Sequence, residues 1–460
     1  MDSLPEDCLT GVLSNLDAEN VARSLLVCKA FYTAGTTSTV WRQLCIDRWL
    51  FCNPSALPNA AEASETSRWY RYYSLRRNQD AHIERGRPRV DYTAKTLRAH
   101  RGLLTGAAYL TSLDAAGPVI ASSSRDGAVK ASDVINGTVL WEGDTNGNPV
   151  CCLTLDKQSD HLLTGDQEGL VSIWDPAESP KAIAELQGSQ FPISAIVKRD
   201  DSHLALVCST EGMLRFWDLR SCELVHALPI ASSDCHRLSY APKNENVVSL
   251  CSMQGSSEIL LYDIRSVGSE SPSVFAQLDA PAPISCYSWI PGKSDSLIAG
   301  CTSGTLCTFK TNEDQRSDHV AMAYQNPTHS IMGHHGGISC MGLSGHRLVT
   351  GGNDGAVKLW HVKKPDSPPE ATATYRDHKG AVRDVSVGTF RVLSCSADYS
   401  IRVYRWERPP RSQDWTLESR YTLLGGSLRG KSDGFSKVLC DNASIVGLAD
   451  ENIKAYNFKQ

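Results

Sequence analysis

Residues 346–360 read HRLVTGGNDGAVKLW: an apolar strand, a tight turn at Asp354-Gly355, then an alternating strand that ends in an aromatic. The unit recurs. From about residue 93 onward the Gly355 position is taken by Gly127, Gly169, Gly212, Ser257, Gly304, Gly355, Tyr399 and Glu451, at spacings of 42 to 52. Six residues further on stand Asp133, Asp175, Asp218, Asp263, Lys310, His361, Arg405 and Asn457. An aromatic precedes each of these except the first, which follows Ser132. The count is eight units, or seven if one of the degenerate copies (four, five or eight) is only an insertion.

A period of this length with strand pairs and a terminal aromatic-Asp resembles the WD-repeat β-propeller, over essentially everything beyond residue 93. The ends of the array predict closure. The last copy stops after its third strand, IKAYNF (453–458), while DYTAKTLRAH (91–100) supplies a spare strand before the first copy. A ring in which the first strand completes the last blade removes exposed edges. In copy six, His334, Thr350, Asp354 and Trp360 fall where the resemblance implies a hydrogen-bonded tetrad. His100, Ser122 and Asp126 repeat the pattern in copy one, and His378, Ser394 and Asp398 in copy seven. A catalytic triad is needed once, so recurrence reads as buried networks that fix blade geometry, and no catalytic residue is assigned.

In front of the array, LPEDCLTGVLSNLDAENVARSLLVCKAFYTAGTTSTVWRQLCIDRW (4–49) divides into three amphipathic helical pieces. Pro5 sits at a first turn, and Leu9, Val12, Leu13 and Leu16 share one face. Asp17 caps a second helix carrying Val21, Leu25 and Cys28, Gly35 ends it, and a third begins near Ser38 with Val40, Trp41 and Leu44. Pieces this small leave some apolar face for a partner. Leu4-Pro5-Glu6-Asp7, Val12-Leu13, Val27-Cys28-Lys29 and Val40-Trp41 together resemble the F-box, with Phe31 and Val40 departing from its usual tryptophan and leucine. The resemblance implies docking on the Skp-type adaptor of a cullin ubiquitin ligase, through Leu4, Pro5, Leu9, Val12, Leu13, Leu16, Val27, Cys28 and Trp41.

The expected organisation is an F-box at 1–50, a loop and helical linker at 51–92, and a mainly β propeller at 93–460. From Ser67 the linker interleaves Trp69, Tyr70, Tyr72 and Tyr73 with Arg68, Arg71, Arg76 and Arg77, which reads as an aromatic-rich helix with basic flanks. RNA binding is the alternative use of such a stretch. A net charge of −5 argues against generic nucleic-acid partners. No apolar run reaches transmembrane length, and the acidic start is unlike a signal peptide, so cytoplasm or nucleus is expected. The 16 cysteines show no C-x-x-C pair and sit mostly inside apolar strand runs, which predicts reduced thiols, no metal and no cofactor.

The expectation for function is a non-catalytic substrate receptor of a multisubunit ubiquitin ligase, monomeric within the complex, with the protein to be modified bound on the propeller. In some family members arginines around the channel bind phosphorylated segments; Arg125 and Arg383 match that set here, while Thr105, Ser339 and Tyr399 stand where others would complete it. A competing adaptor signal is the W/Y-D-x-R pattern of the other large cullin family, present as Trp217-Asp218-Leu219-Arg220 and Tyr262-Asp263-Ile264-Arg265. A propeller scaffold that assembles partners without promoting ubiquitination is the reading from a different class.

Overall fold

The computed structural model describes residues 5–48, 65–110, 117–199, 202–230, 235–242, 246–252, 255–264, 274–290, 296–311, 323–362, 367–408, 415–425, 434–441 and 443–459. Leu4, Arg265 and the loop expected at 51–64 lie outside them. The chain forms two compact units.

The first unit is helical. It holds α1 (Glu6–Leu13), α2 (Ala18–Ser24), α3 (Lys29–Gly35), α4 (Ser38–Arg48) and α5 (Glu65–Arg85). Four short helices replace the three pieces expected before α5. The stripe Val21, Leu25, Cys28 suggests one continuous second helix, but after Ser24 the backbone tightens: the amides of Leu26 and Val27 donate three residues back, to Arg23 (3.2 Å) and Ser24 (3.1 Å). Cys28 is then extended (φ −160°, ψ 169°) and opens α3. Asp17 caps α2 as expected, its side chain accepting the Asn20 amide at 2.8 Å. Leu9, Leu13, Val21, Val40, Trp41 and Cys45 form the core of these helices together with Tyr72 and Tyr73 of α5. The α5 stripe runs Trp69, Tyr72, Tyr73, Arg76, Asp80, Ile83 at helical spacing, with Tyr72, Tyr73, Asp80 and Ile83 buried. Trp41 is the keystone: its ring lies 4.8 Å from Tyr70 and 5.2 Å from Tyr73, and its Nε1 donates to the Gly35 carbonyl at 2.8 Å.

The second unit is an eight-bladed β-propeller, each blade a sheet of at least four strands. The blades span 104–144, 150–187, 193–229, 235–279, 284–332, 338–375, 382–424 and 437–458. Inner strands of most neighbouring blades run side by side. Second strands such as Arg347–Gly352 and Arg391–Ser396 are buried along almost their whole length, as expected of strands covered on both faces. The expected clasp is present: Tyr92–Leu97 pairs beside Asn452–Phe458 as the fourth strand of blade 8. Leu97, Ala107, Ile120, Val446, Leu448 and Ile453 pack into one cluster across the junction of blades 8 and 1.

Every inner strand from blade 1 to blade 7 carries a bulge near its start, where the register slips by one residue. The unpaired residues are Thr105, Cys151, Ser194, His236, Ser285, Ser339 and Arg383. Serines there stitch blades together. Ser285 donates to the Ile338 carbonyl of the next blade, and Ser339 to the Val382 carbonyl of the one after.

Candidate functional site

Two surfaces qualify, one on each unit. On the helical unit Leu9, Leu13 and Trp41 are buried and build the core, Leu16 and Cys28 are half-buried, and Pro5 is exposed. Besides Pro5, the described side chains of the expected set that stand well out are Val12 at 57% and Val27 at 69% exposure. The structure adds Leu26 at 88% and Tyr32 at 58%, which the helical stripe had not singled out. Their signal was in the sequence. Leu25-Leu26-Val27 is an apolar run wider than one face of a short helix can bury, so part of it must point outward.

On the propeller the tetrad of blade 6 is complete. His334 Nδ1 lies 3.0 Å from Asp354 Oδ1, His334 Nε2 2.8 Å from Thr350 Oγ1, and Trp360 Nε1 donates to Thr350 Oγ1 at 2.9 Å. Blade 1 repeats it with His100 Nε2 2.8 Å from Ser122 Oγ and Nδ1 3.2 Å from Asp126, and blade 7 with His378 Nε2 2.7 Å from Ser394 Oγ. All three imidazoles are buried, which pushes them below the usual histidine range against the opposing pull of their aspartates. A neutral imidazole receiving one hydroxyl and held by one carboxylate in three separate blades is a structural network. Blade 3 uses another set: Glu211 accepts Ser189 Oγ (2.8 Å) and Ser209 Oγ (3.1 Å) and pairs with Arg215 at 2.5 Å. Between blades 4 and 5, Trp289 Nε1 donates to Ser249 Oγ at 3.0 Å, while the Tyr287 hydroxyl donates to the Ser249 and Arg237 carbonyls, both at 3.1 Å.

Arg125 is exposed in the tight turn of blade 1, and Arg383 is exposed at the bulge of blade 7; blade 8 stands between them. Of the positions that would complete a cluster, Thr105 Oγ1 is 2.9 Å from Ser123 Oγ and Ser339 donates to the Gly351 carbonyl at 3.0 Å, so both hydroxyls are engaged. Tyr399 is half-buried with φ +61°. At the ends of the third strands of blades 3 and 4, Trp217 and Tyr262 are core residues. Asp218 accepts the Arg220 amide at 2.9 Å and leaves the Arg220 side chain exposed; Asp263 is half-buried. Among the described residues no group of His, Cys, Asp and Glu is placed to hold a metal ion, and no disulfide forms. The Cys301 and Cys307 thiols lie 4.0 Å apart inside blade 5; their hydrogen bond draws Cys307 down to about 7 and pushes Cys301 up.

Comparison with known proteins agrees with this division. Residues 1–47 match the F-box-like family, and 137–175, 325–361 and 369–405 match the WD domain, G-beta repeat. F-box/WD repeat-containing protein 15 of Mus musculus is 24% identical over 47% of this chain and 47% of its own length. Serine-threonine kinase receptor-associated protein of Homo sapiens is 26% identical over 58% of this chain and 69% of its own length. Zinc finger CCCH domain-containing protein 62 of Arabidopsis thaliana is 23% identical over 43% of each chain. The chain thus spans under half the length of the Arabidopsis and mouse F-box relatives. Among solved structures, the C-terminal WD40 domain of Sif2 superposes with a TM-score of 0.60 at 13% identity, covering 80% of this chain and 99% of that one, a likeness of fold alone.

Proposed function

We propose that this chain, an F-box-like domain followed by an eight-bladed WD40 propeller, is the substrate-recognition subunit of an SCF-type ubiquitin ligase. One observation carries the reading: the helical unit closes a core around Trp41 yet leaves Val12, Leu26, Val27 and Tyr32 exposed. Four well-exposed large apolar side chains on so small a unit favour a permanent partner over solvent. A Skp-type adaptor, and through it a cullin, would cover these side chains. The propeller binds the protein to be modified, and bond-making belongs to the recruited conjugating enzyme, with this chain supplying proximity and orientation. Cytoplasm or nucleus is the corresponding location.

The test is recovery of adaptor and cullin by the intact chain and by a Leu26→Asp/Val27→Asp variant with proteasomal turnover blocked. Both positions are solvent-facing, so the variant keeps its helical circular dichroism and melting temperature. Loss of adaptor with unchanged propeller partners supports the ligase reading. Equal recovery by both chains, with no cullin in either, overturns it in favour of a scaffold. Exposure of Arg220 beside the Asp218 turn favours a second route, through the adaptor of the other cullin family; there Arg220→Ala removes the cullin and the box variant does not. Recognition of phosphorylated substrates has thinner support. It leaves Arg383 as the exposed cation at the bulge positions of blades 1, 6 and 7, since Thr105 and Ser339 are neutral and engaged.

A further inference from the structure

The aromatic and basic residues that alternate along α5 in sequence are sorted by the helix onto different faces. At about 3.6 residues per turn, Tyr70, Arg71, Arg77, Asn78 and Arg85 fall within one face about 120° wide, and all of them are exposed. Tyr72, Tyr73 and Ile83 lie on the opposite side and are buried, and Trp69 packs against the core of the helical unit. Arg76 turns inward as well, its guanidinium 5.4 Å from the Tyr72 ring. The outward face keeps arginines and no carboxylate. Glu84, at its edge, is half-buried and has a partner of its own.

Charge is segregated here as the composition of the whole chain does not suggest. Residues 67–89 hold seven arginines against two carboxylates, Asp80 and Glu84, which leaves +5 on this stretch and −10 on the rest of a chain of net charge −5. Arg85 and Arg87 are partly neutralised by Asp91, at 3.3 Å and 2.8 Å. Arg71, Arg77 and Arg89 are exposed and, among the described residues, their side chains have no partner. Cations gathered on one side repel one another, and no contact within the unit offsets that cost.

Two kinds of polyanion suit a cationic stripe, and the aromatic side chains choose between them. Single-stranded RNA needs exposed rings on which to stack its bases. Of the α5 aromatics, Trp69, Tyr72 and Tyr73 are turned into the core, and Tyr70 packs its ring edge against Trp41 at 4.8 Å. The −10 carried elsewhere also repels an extended polyanion. A short acidic protein segment meets neither obstacle. Arg71 to Arg85 covers about 21 Å of helix, which about six residues of extended chain would span with alternate carboxylates facing the arginines. Guanidinium forks bind such carboxylates bidentately.

We infer that the exposed face of α5 is a docking surface for an Asp/Glu-rich segment of a partner protein, held by Arg71 and Arg77 and extended by Arg85, Arg87 and Arg89. These side chains are distinct from Val12, Leu26, Val27 and Tyr32, so the surface stands or falls apart from the adaptor contact proposed above.

The test is fluorescence anisotropy of a labelled peptide of alternating glutamate and serine, titrated with the full chain at about 50 mM salt and again at about 200 mM. The intact chain binds saturably, and more weakly at the higher salt. Arg71→Glu/Arg77→Glu weakens binding about tenfold with unchanged helical circular dichroism, since both side chains are exposed and unpartnered. Arg71→Lys/Arg77→Lys stays within about threefold of the intact chain, which separates loss of charge from loss of fold. Labelled oligouridine, the counter-probe, binds more weakly than the peptide. The inference is overturned if the intact chain shows no saturable binding of the peptide, if charge reversal leaves the affinity unchanged, or if the lysine variant falls as far as the glutamate one. Tighter binding of oligouridine through the same arginines overturns it in favour of a nucleic-acid site.

Discussion

At the scale of single residues the propeller depends on a few buried polar groups, and their identity was readable because the repeat aligns them. The resemblance to the WD repeat implies a tetrad at His334, Thr350, Asp354 and Trp360, and in the structure His334 lies 3.0 Å from Asp354 and 2.8 Å from Thr350, which accepts from Trp360 at 2.9 Å. What spacing did not disclose is substitution by chemistry outside the pattern: Glu211 with Arg215 in blade 3, and Trp289 with Ser249 across blades 4 and 5, satisfy polar groups through residues that no repeat position marks. Tyr399 is the counter-example in which the repeat reveals strain. It occupies the turn position held by Gly355 (φ +72°), yet itself has φ +61°, a conformation that costs an L-residue with a Cβ about 1 kcal/mol. Tyr399→Gly is therefore expected to raise stability by about that amount, less what the half-buried ring contributes, in urea unfolding of the full chain. A loss of more than about 1 kcal/mol would mean that ring packing outweighs backbone strain.

At the scale of elements, helices with a long apolar stripe were legible and short breaks were not. Asp17, Gly35 and Ser38 marked true boundaries, whereas the turn at 25–28 has no glycine or proline and exists because Leu26 and Val27 do not fit the stripe. The three-residue strand at 323–325 had no signature either, being shorter than any periodicity can register. The joint after α5 is set by charge. The Asp91 carboxylate, with its side chain wholly buried, accepts the Arg87 amide at 2.9 Å and Arg87 Nε at 2.8 Å and lies 2.7 Å from His82 Nδ1. The hydrogen bond from Arg87 leads in holding Asp91 well below the usual carboxylate range. A depressed folded value stabilises fully above the unfolded pKa of about 3.9, and that contribution fades as the pH falls through it towards the folded value. Asp91→Asn should therefore lower the melting temperature at neutral pH, with the gap to wild type narrowing below about pH 4. A gap that stays constant with pH would show that shape at this joint matters more than charge.

At the scale of the whole molecule the ring was the most legible feature, because eight copies, three of them degenerate, still share one period and the strands at 91–100 and 453–458 fit one blade. Repetition also multiplies weak effects. His100, His334 and His378 are each displaced below the usual histidine range, first by burial, so the folded ring keeps them neutral where the unfolded chain takes up protons. Stability is then full above about pH 6.5 and falls below it, with up to three protons bound on unfolding, or about 4 kcal/mol per pH unit at the steepest. Urea midpoints between about pH 7 and 5 measure that slope, and an uptake of less than one proton would refute the common role of the three sites. The clasp has a consequence in time as well as in space. Its two strands, Tyr92–Leu97 and Asn452–Phe458, are separated by about 360 residues, which a ribosome takes about 20 to 70 s to add. Helices α1 to α5 are complete before that interval begins. During synthesis the exposed side chains Val12, Leu26, Val27 and Tyr32 thus emerge well before the ring can shut, and under the function proposed above a partner can meet them before the propeller has folded.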